Sequence, residues 1–252
     1  MAAVTLPRVV GDGRRESEWR RSRWLAALPT RTAAELLLGW QRLVLLSPHP
    51  DDETLACGGL LRAAGAMGLD VQLVSVTDGE ACYPGDPGWT PERLRQVRRS
   101  EVAHALAALG VHAQVHRTGL PDGGVARHRG ELERALRALL RRGDLVLAPW
   151  EHDGHPDHDA VGRAALAATA ALPGLRLLRY PVWAWHWLPP DASPPPFAAI
   201  RMPLPPATLA RKRRAIACFA SQLDRGGPGA PAPILPPHVV ERFDRPFEVY
   251  LR

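Results

Sequence analysis

The chain has 252 residues, of which 46% are hydrophobic and 23% charged. This composition is typical of a globular protein and excludes a disordered or fibrous chain, and the length suffices for one large α/β domain. The formal net charge is +6, but the cations are almost all arginine, because Lys212 is the only lysine. Since the arginines form no stripe and no reader module is recognisable, we expect no nucleic-acid binding.

The cysteines and the apolar segments indicate a reduced, cytoplasmic protein. Cys57, Cys82 and Cys218 form no Cys-x-x-Cys pair, and an odd number is a poor disulfide framework. We expect Cys57 and Cys218 in the core and Cys82 nearer a functional site. No apolar run reaches the length of about 18 residues that a transmembrane segment needs, and no signal peptide is recognisable.

The predicted elements begin with a polar, basic extension over residues 1–40 that ends in a helical stretch at 32–40. Strands and helices then alternate along the chain. In chain order we predict strand 43–46, helix 54–67, strand 71–76, helix 91–109, strand 111–116, helix 130–142, strand 145–148, helix 157–171 and strand 175–182. The alternation is typical of βαβ units and of a mostly parallel sheet flanked by helices.

The carboxyl-terminal part is interpreted mainly from its prolines and its alternation of apolar and polar residues. Residues 189–206 are dense in proline and are predicted to form a loop. A helix at 209–223, a second loop at 226–237 and a closing edge strand at 247–251 follow. We therefore predict a single α/β domain over 41–252, with residues 1–40 packed on it.

Four polar segments follow four of the predicted strands. They lie at 49–53, 78–80, 120–124 and 155–158. In open α/β sheets, ligands bind at the carboxyl ends of the strands, so we expect these segments to meet at one edge of the sheet.

The first and the last of these segments share a pattern, HPDDE at 49–53 and HPDH at 155–158. His49 and Asp52 are three residues apart, as are His155 and His158, so each pair can lie on one face of a helical turn. Two histidines and one carboxylate leave coordination positions open for water, as in catalytic zinc sites. Asp51 is then placed beside the ligands to accept a proton.

Two roles remain for the second segment. His155, as the spare imidazole, could stabilise an oxyanion or protonate a leaving amine. Asp157 could fix the tautomer of His155 and keep it cationic.

With these motifs the sequence resembles the zinc-dependent de-N-acetylases that include N-acetylglucosaminyl-phosphatidylinositol deacetylase and the LmbE-like proteins. Segments 78–80, 98–110 and 120–122 support the resemblance, which covers residues 41–182 well. It implies a Rossmann-like fold. It also implies the following roles: His49, Asp52 and His158 as zinc ligands, Asp51 as general base, His155 as electrostatic partner or general acid supported by Asp157, and Arg98 and Asp122 as substrate contacts.

One position departs from the family pattern. Several relatives carry a tyrosine two residues before the second motif, where this chain has Asp153. Tyr83 and Tyr180 are the candidates for a replacement. The tryptophan-rich stretch 183–187 fits either a sugar or acyl pocket or a packed strand end.

From these residues we predict a metal-dependent hydrolase, with Zn²⁺ or alternatively Fe²⁺, that removes the acetyl group from an N-acetylglucosamine-type conjugate. Its partner would be a small-molecule glycoside. The alternatives are an amidase acting on a larger thiol or antibiotic conjugate, an iron(II) oxygenase built on two histidines and one carboxylate, and a non-catalytic glycan or nucleotide binder.

Overall fold

The structure is a computed structural model that describes residues 9–192, 197–224 and 232–251. Its strands are β1 (Arg42–Ser47), β2 (Asp70–Ser75), β3 (Ala113–Arg117), β4 (Asp144–Pro149), β5 (Arg176–Tyr180), β6 (Ala199–Pro203) and β7 (Phe247–Leu251). Its helices are α1 (Glu16–Trp19), α2 (Arg23–Ala26), α3 (Ala33–Leu37), α4 (Asp52–Ala66), α5 (Pro91–Leu109), α6 (Arg129–Leu139), α7 (Pro156–Ala170), α8 (Ala184–Trp187), α9 (Pro206–Ile216), α10 (Ala220–Leu223) and α11 (Pro237–Val240). Short 3-10 turns lie at Val125–His128 and Glu241–Phe243.

In this described part of the chain, seven strands form one sheet in the order β3-β2-β1-β4-β5-β7-β6. The five strands from β3 to β5 are parallel, and β7 and β6 pair antiparallel to their neighbours. The predicted α/β class with a mostly parallel sheet is confirmed. No helix of the described ranges has both the length and the apolar character needed to cross a bilayer.

The central strand β1 explains why the core has two halves. Its side chains alternate between the faces of the sheet, so Leu43 and Leu45 enter one apolar cluster while Val44 and Leu46 enter the other. Strand β1 is buried along its whole length, as expected of a parallel strand covered by helices on both faces. Its carboxyl end therefore has a fixed position, and the first polar motif starts there.

Helix α5 has the predicted bounds because its signals are local. The Thr90 side chain accepts a hydrogen bond from the Arg93 N–H, Pro91 occupies the first turn, and Gly110 takes the left-handed conformation, with φ 70°, that ends the helix.

Three predictions for the carboxyl-terminal part are wrong. Strand β6 lies inside the stretch predicted as a loop; it is an edge strand and Pro203 stands at its end, where a missing N–H is tolerated. Strand β7 lies between β5 and β6 instead of forming an edge. The predicted helix at 209–223 is two helices, because the backbone of Phe219 leaves the helical region while its ring is fully buried.

Other parts of those predictions lie outside the described residues, namely 1–8 of the extension, 193–196 of the first loop and 225–231 of the second. Residues 9–40 form helices α1 to α3 and pack on the sheet domain. Trp19 is buried, and its Nε1 donates to the carbonyl oxygen of Trp185 at 2.8 Å. The boundary between an extension and a domain near residue 40 stays a prediction.

Lys212 lies in a cluster of three arginines and one lysine, at 211–214, that is typical of a solvated helix face, yet its side chain is buried. Its Nζ lies 2.7 Å from Oε1 of Glu248, and the carboxylate of Glu248 also accepts hydrogen bonds from the backbone of Gly59 and Leu60 and from the Tyr250 hydroxyl. A partner carboxylate makes this burial tolerable, and the sequence pattern of α9 alone does not show it.

Candidate metal centre

The turn between β1 and α4 holds the first motif under backbone strain. Asp51 has φ 124°, and it is the only residue other than glycine with positive φ in the described part of the chain. The fully buried Glu53 fixes this turn, because its Oε2 accepts hydrogen bonds from the Ser47 hydroxyl at 2.9 Å and from the Asp51 N–H at 3.1 Å. Strain of this kind is typical of functional sites, where the surroundings hold a residue in an unfavourable conformation.

Three donor atoms from the two motifs lie close together. Nδ1 of His49 is 3.3 Å from Nε2 of His158 and 3.5 Å from Oδ2 of Asp52. Nε2 of His158 is 3.2 Å from the same Asp52 oxygen. The fold therefore brings together the three residues that the sequence pattern proposes as ligands.

The size of this triangle fits a tetrahedral ion. Ligand atoms about 2.0–2.2 Å from zinc at tetrahedral angles are about 3.3–3.6 Å apart, close to the three distances. His155 is also near, because one nitrogen of each of His49, His155 and His158 falls within a 4.8 Å group. The donor set, two imidazoles and a carboxylate, suits zinc or iron(II).

Electrostatics in the cluster favour a positive charge. Burial alone would raise the pKa of Asp52, but His158 and His49 hold it far below its ordinary value. Burial alone would lower the pKa of His158, but Asp52 and Asp153 raise it to about 9. The carboxylates thus stabilise cations between them, and because a metal binds the neutral imidazole, protons and a metal compete for the same nitrogens.

The second ring nitrogen of His49 faces two carboxylates. Its Nε2 lies 3.2 Å from Oδ1 of Asp122 and 3.3 Å from Oδ2 of Asp157. Hydrogen bonding there directs Nδ1 towards the cluster. The carboxylate of Asp157 accepts the Gly123 and Val125 N–H groups and faces His49, while its charge raises the pKa of His155, so its predicted support of His155 stays a prediction.

The surroundings of His155 oppose the cationic form, which stays a prediction. Burial, together with the charges of His49 and His158, lowers its pKa to about 3. Its Nδ1 accepts a hydrogen bond from the backbone N–H of Asp157 at 3.2 Å, so the ring proton belongs on Nε2. Asp157 thus sets the tautomer of His155 through its main chain.

Asp51 lies beside the cluster and contacts a buried arginine. Nη2 of Arg98 donates to Oδ2 of Asp51 at 3.0 Å and also to the carbonyl oxygen of Pro50. Burial raises the pKa of Asp51 to about 8, although the charge of Arg98 opposes this. Arg98 is only 2% exposed, so it is not a solvated helix residue, and a role as a substrate contact stays a prediction.

A cavity of about 300 Å³ opens onto the cluster. The polar segments that follow β1, β2, β3 and β4 all contribute to its wall, and apolar side chains form the rest. The polar part and its neighbours include His49, Asp51, Asp52, Gly79, Arg98, Asp122 and His155, and the apolar part includes Leu55, Val182, Trp183, Ile234 and Leu235. Cys82 also lines it, as expected. The meeting of the four segments at one edge of the sheet follows from the parallel strands.

No tyrosine replaces the one that is missing at Asp153. The hydroxyls of the three tyrosines, all among the described residues, bond elsewhere: Tyr83 to the Ser221 carbonyl, Tyr180 to the Leu46 carbonyl and Tyr250 to Glu248. In the tryptophan-rich stretch both interpretations apply, to different residues, since Trp183 lines the cavity while Trp185 packs against Trp19.

This arrangement defines an α/β protein with a candidate metal site and a small-molecule cavity at the carboxyl ends of its parallel strands. Comparison with known proteins gives the family. The family model described as PIG-L, GlcNAc-PI de-N-acetylase, matches residues 44–169. The chain belongs to this family.

Among curated relatives, a deacetylase of 1D-myo-inositol 2-acetamido-2-deoxy-α-D-glucopyranoside from Nakamurella multipartita is 37% identical over 54% of this chain and 58% of its own length. The chain thus matches little more than half of the length of that relative. The protein of the same name from Streptomyces avermitilis is 31% identical over 68% of this chain and 69% of its own. A solved structure of a conserved protein from Thermus thermophilus matches with a TM-score of 0.52 and 34% identity, covering 73% of this chain and 80% of that one.

Proposed function

We propose that this protein is a zinc-dependent deacetylase that hydrolyses the acetamide of an N-acetylglucosamine-type conjugate. The observation that carries the proposal is the triangle of His49 Nδ1, Asp52 Oδ2 and His158 Nε2, with edges of 3.2–3.5 Å, beside the buried carboxylate of Asp51. The names of the relatives from Nakamurella and Streptomyces support an N-acetylated glucosamine linked to inositol as a first substrate to test.

His49, Asp52 and His158 would hold the ion, which is zinc in this proposal and iron(II) in its variant. A zinc ion in such a site would polarise a carbonyl group and lower the pKa of bound water towards about 7. The cavity opens onto the triangle, so an acetamide bound in it can lie next to these three residues.

Asp51 would accept the proton of the attacking water at Oδ1, because its Oδ2 is held by Arg98. This contact fixes the carboxylate, so Arg98 would position the base whether or not it also meets the substrate. The strained backbone of Asp51 aims the side chain at the cavity, which it lines. A carboxylate with this placement meets the geometric requirement for a general base.

His155 would donate a hydrogen bond from Nε2–H to the oxygen that becomes negative during the attack. It lines the cavity, and its neutral form still carries this one donor. Asp122 lines the cavity, and both of its oxygens have a partner, since Oδ1 faces Nε2 of His49 and Oδ2 accepts the Ala81 N–H. A contact with sugar hydroxyls would therefore use a remaining lone pair of one of these oxygens.

The test is acetate release from N-acetylglucosaminyl-inositol, N-acetylglucosamine and N,N'-diacetylchitobiose by zinc-loaded wild type and Asp51→Asn. A matched control is Asp70→Asn, at an exposed carboxylate that begins β2. Loss of a general base typically lowers the rate about 10²–10⁴-fold, so Asp51→Asn should lose at least about 10² while keeping its zinc.

The control should retain the wild-type rate. If Asp51→Asn with bound zinc hydrolyses the substrates within a few-fold of wild type, the assignment of the base is wrong. If the zinc-loaded wild type hydrolyses no acetamide in the panel and none in larger amide conjugates, the proposed hydrolase is wrong.

A further inference from the structure

A buried carboxylate outside both motifs joins the two sides of the cavity. Asp153 lies in the turn between β4 and α7 and is fully buried. Its Oδ1 accepts the backbone N–H of Val182 at 3.0 Å and of Ala184 at 2.9 Å, and its Oδ2 accepts that of Trp183 at 2.9 Å. One side chain thus holds the start of the segment that carries the tryptophan wall.

The same carboxylate contacts the second motif. Its Oδ2 lies 2.9 Å from Nδ1 of the fully buried His158, a charged contact rather than an aligned hydrogen bond, and within the described ranges this nitrogen has no hydrogen-bond partner. An imidazole that keeps its proton on Nδ1 presents the lone pair of Nε2. In His158, Nε2 is the atom that faces Asp52 and His49.

The wall that Asp153 holds is close to the reacting groups. Trp183 lines the cavity, and its ring is stacked on that of His155 with centroids 6.3 Å apart and an interplanar angle of 24°. Trp187 also binds the backbone of Asp153, because its Nε1 donates to the Asp153 carbonyl oxygen at 2.7 Å. A shift of this carboxylate would therefore move both His158 and Trp183.

We propose that Asp153 is a positioning residue that fixes the tautomer of His158 for metal binding and at the same time holds Trp183 as the substrate wall. The proposal rests on the proposed function, because it assumes that His158 binds a metal and that the cavity receives the substrate. It gives a role to the position that departs from the family pattern, where an aspartate replaces a tyrosine.

Asp153→Asn affects the two tasks unequally. The amide keeps one oxygen, which can still accept the Val182 and Ala184 N–H groups, but it presents an NH₂ group at the position that faces His158 and accepts the Trp183 N–H. An NH₂ facing His158 favours the tautomer with the proton on Nε2, which removes the lone pair from the metal side. Asp153→Ala removes both tasks and leaves three buried N–H groups without their acceptor.

The first experiment measures Zn²⁺ affinity of the metal-free protein by competition with a chromophoric chelator. Loss of a side chain that orients a metal ligand typically weakens binding about 10–100-fold, and we expect this of Asp153→Asn. The matched control is Asp159→Asn, because Asp159 accepts the Gly154 N–H of the same turn but has no such contact with His158. It should bind Zn²⁺ within about threefold of wild type, because in the described ranges its carboxylate makes neither a hydrogen bond nor an ion pair with His158.

The second readout is the division between kcat and KM at saturating Zn²⁺. Asp153→Asn, which still accepts two of the three N–H groups, should raise KM less than Asp153→Ala, which should raise it about tenfold or more because the wall is released. The third readout needs no variant: long-range ¹H–¹⁵N spectra of the zinc-loaded wild type should show the proton of His158 on Nδ1.

Zn²⁺ affinity of Asp153→Asn equal to that of Asp159→Asn would overturn the proposal, as would a His158 proton on Nε2 in the wild type. Equal KM values for Asp153→Asn and Asp153→Ala would overturn the part that concerns Trp183. Zinc affinity is measured without substrate. If Asp153→Asn binds Zn²⁺ more weakly than Asp159→Asn but the wild type hydrolyses no acetamide, the proposed function fails while the role of Asp153 at His158 stands.

Discussion

The backbone at Asp51 makes a prediction about stability that is opposite in sign to the usual one. In a helix or strand, a protein with alanine at a given position is usually more stable than one with glycine there, by about 0.5–1 kcal/mol, because glycine loses more conformational freedom on folding. Asp51 has φ 124°, which a side chain with a Cβ adopts at a cost of about 1–3 kcal/mol. Asp51→Gly removes that cost, whereas Asp51→Ala keeps it.

The difference between the two variants can be worked out, since both lose the contact with Arg98 and the buried charge. Subtracting the entropic disadvantage of glycine from the strain, with the middle of each range, leaves Asp51→Gly more stable than Asp51→Ala by about 1 kcal/mol. For a chain of this size that corresponds to a melting temperature about 2–4 °C higher.

The assay is thermal and urea unfolding of both variants in the metal-free form. A control substitution, Ala103→Gly on the exposed face of α5, should lower the free energy of unfolding by about 1 kcal/mol. An Asp51→Ala protein as stable as Asp51→Gly, or more stable, would refute the inference that the turn stores strain at this residue.

Two further predictions concern parts of the fold remote from the cavity. Trp19→Ala should lower the free energy of unfolding by about 3–5 kcal/mol in a urea titration, because the ring is buried against Trp185 and under Arg245. The control Trp89→Ala, at a half-buried tryptophan, should lower the free energy of unfolding far less. If Trp19→Ala leaves this free energy unchanged, residues 9–40 do not unfold cooperatively with the rest of the protein. The buried Lys212 should react with an amine-directed reagent only after unfolding, as read from the mass of its peptide, and rapid modification of the native protein would contradict its pairing with Glu248.

The parts of the fold that the sequence predicts well are those with local signals. Helix α5 has its capping threonine, its first-turn proline and its terminal glycine within the helix and its two flanking residues. The place of β7 in the sheet has no such signal, because it depends on which strands pair across distant parts of the chain. Strand β6 is hidden by the prolines around it, which are tolerated because the strand lies at an edge.

The site shows the same division. The spacing within each motif predicts which residues meet, and His49, Asp52 and His158 do lie together. Which nitrogen of a histidine ring contacts which carboxylate depends on the three-dimensional packing of several turns. For that reason the contact of Asp157 with His49 was not predicted, and Asp153 was seen only as a missing tyrosine. The expected cytoplasmic location stays a prediction from the sequence.

The most direct test of the central claim is acetate release by the metal-free wild type as Zn²⁺ is added in steps. If His49, Asp52 and His158 hold one catalytic ion, activity should be absent at the start and rise linearly to a plateau at about one equivalent per chain. His158→Ala should show no such rise. Full activity of a chain that demonstrably contains no metal would contradict the account.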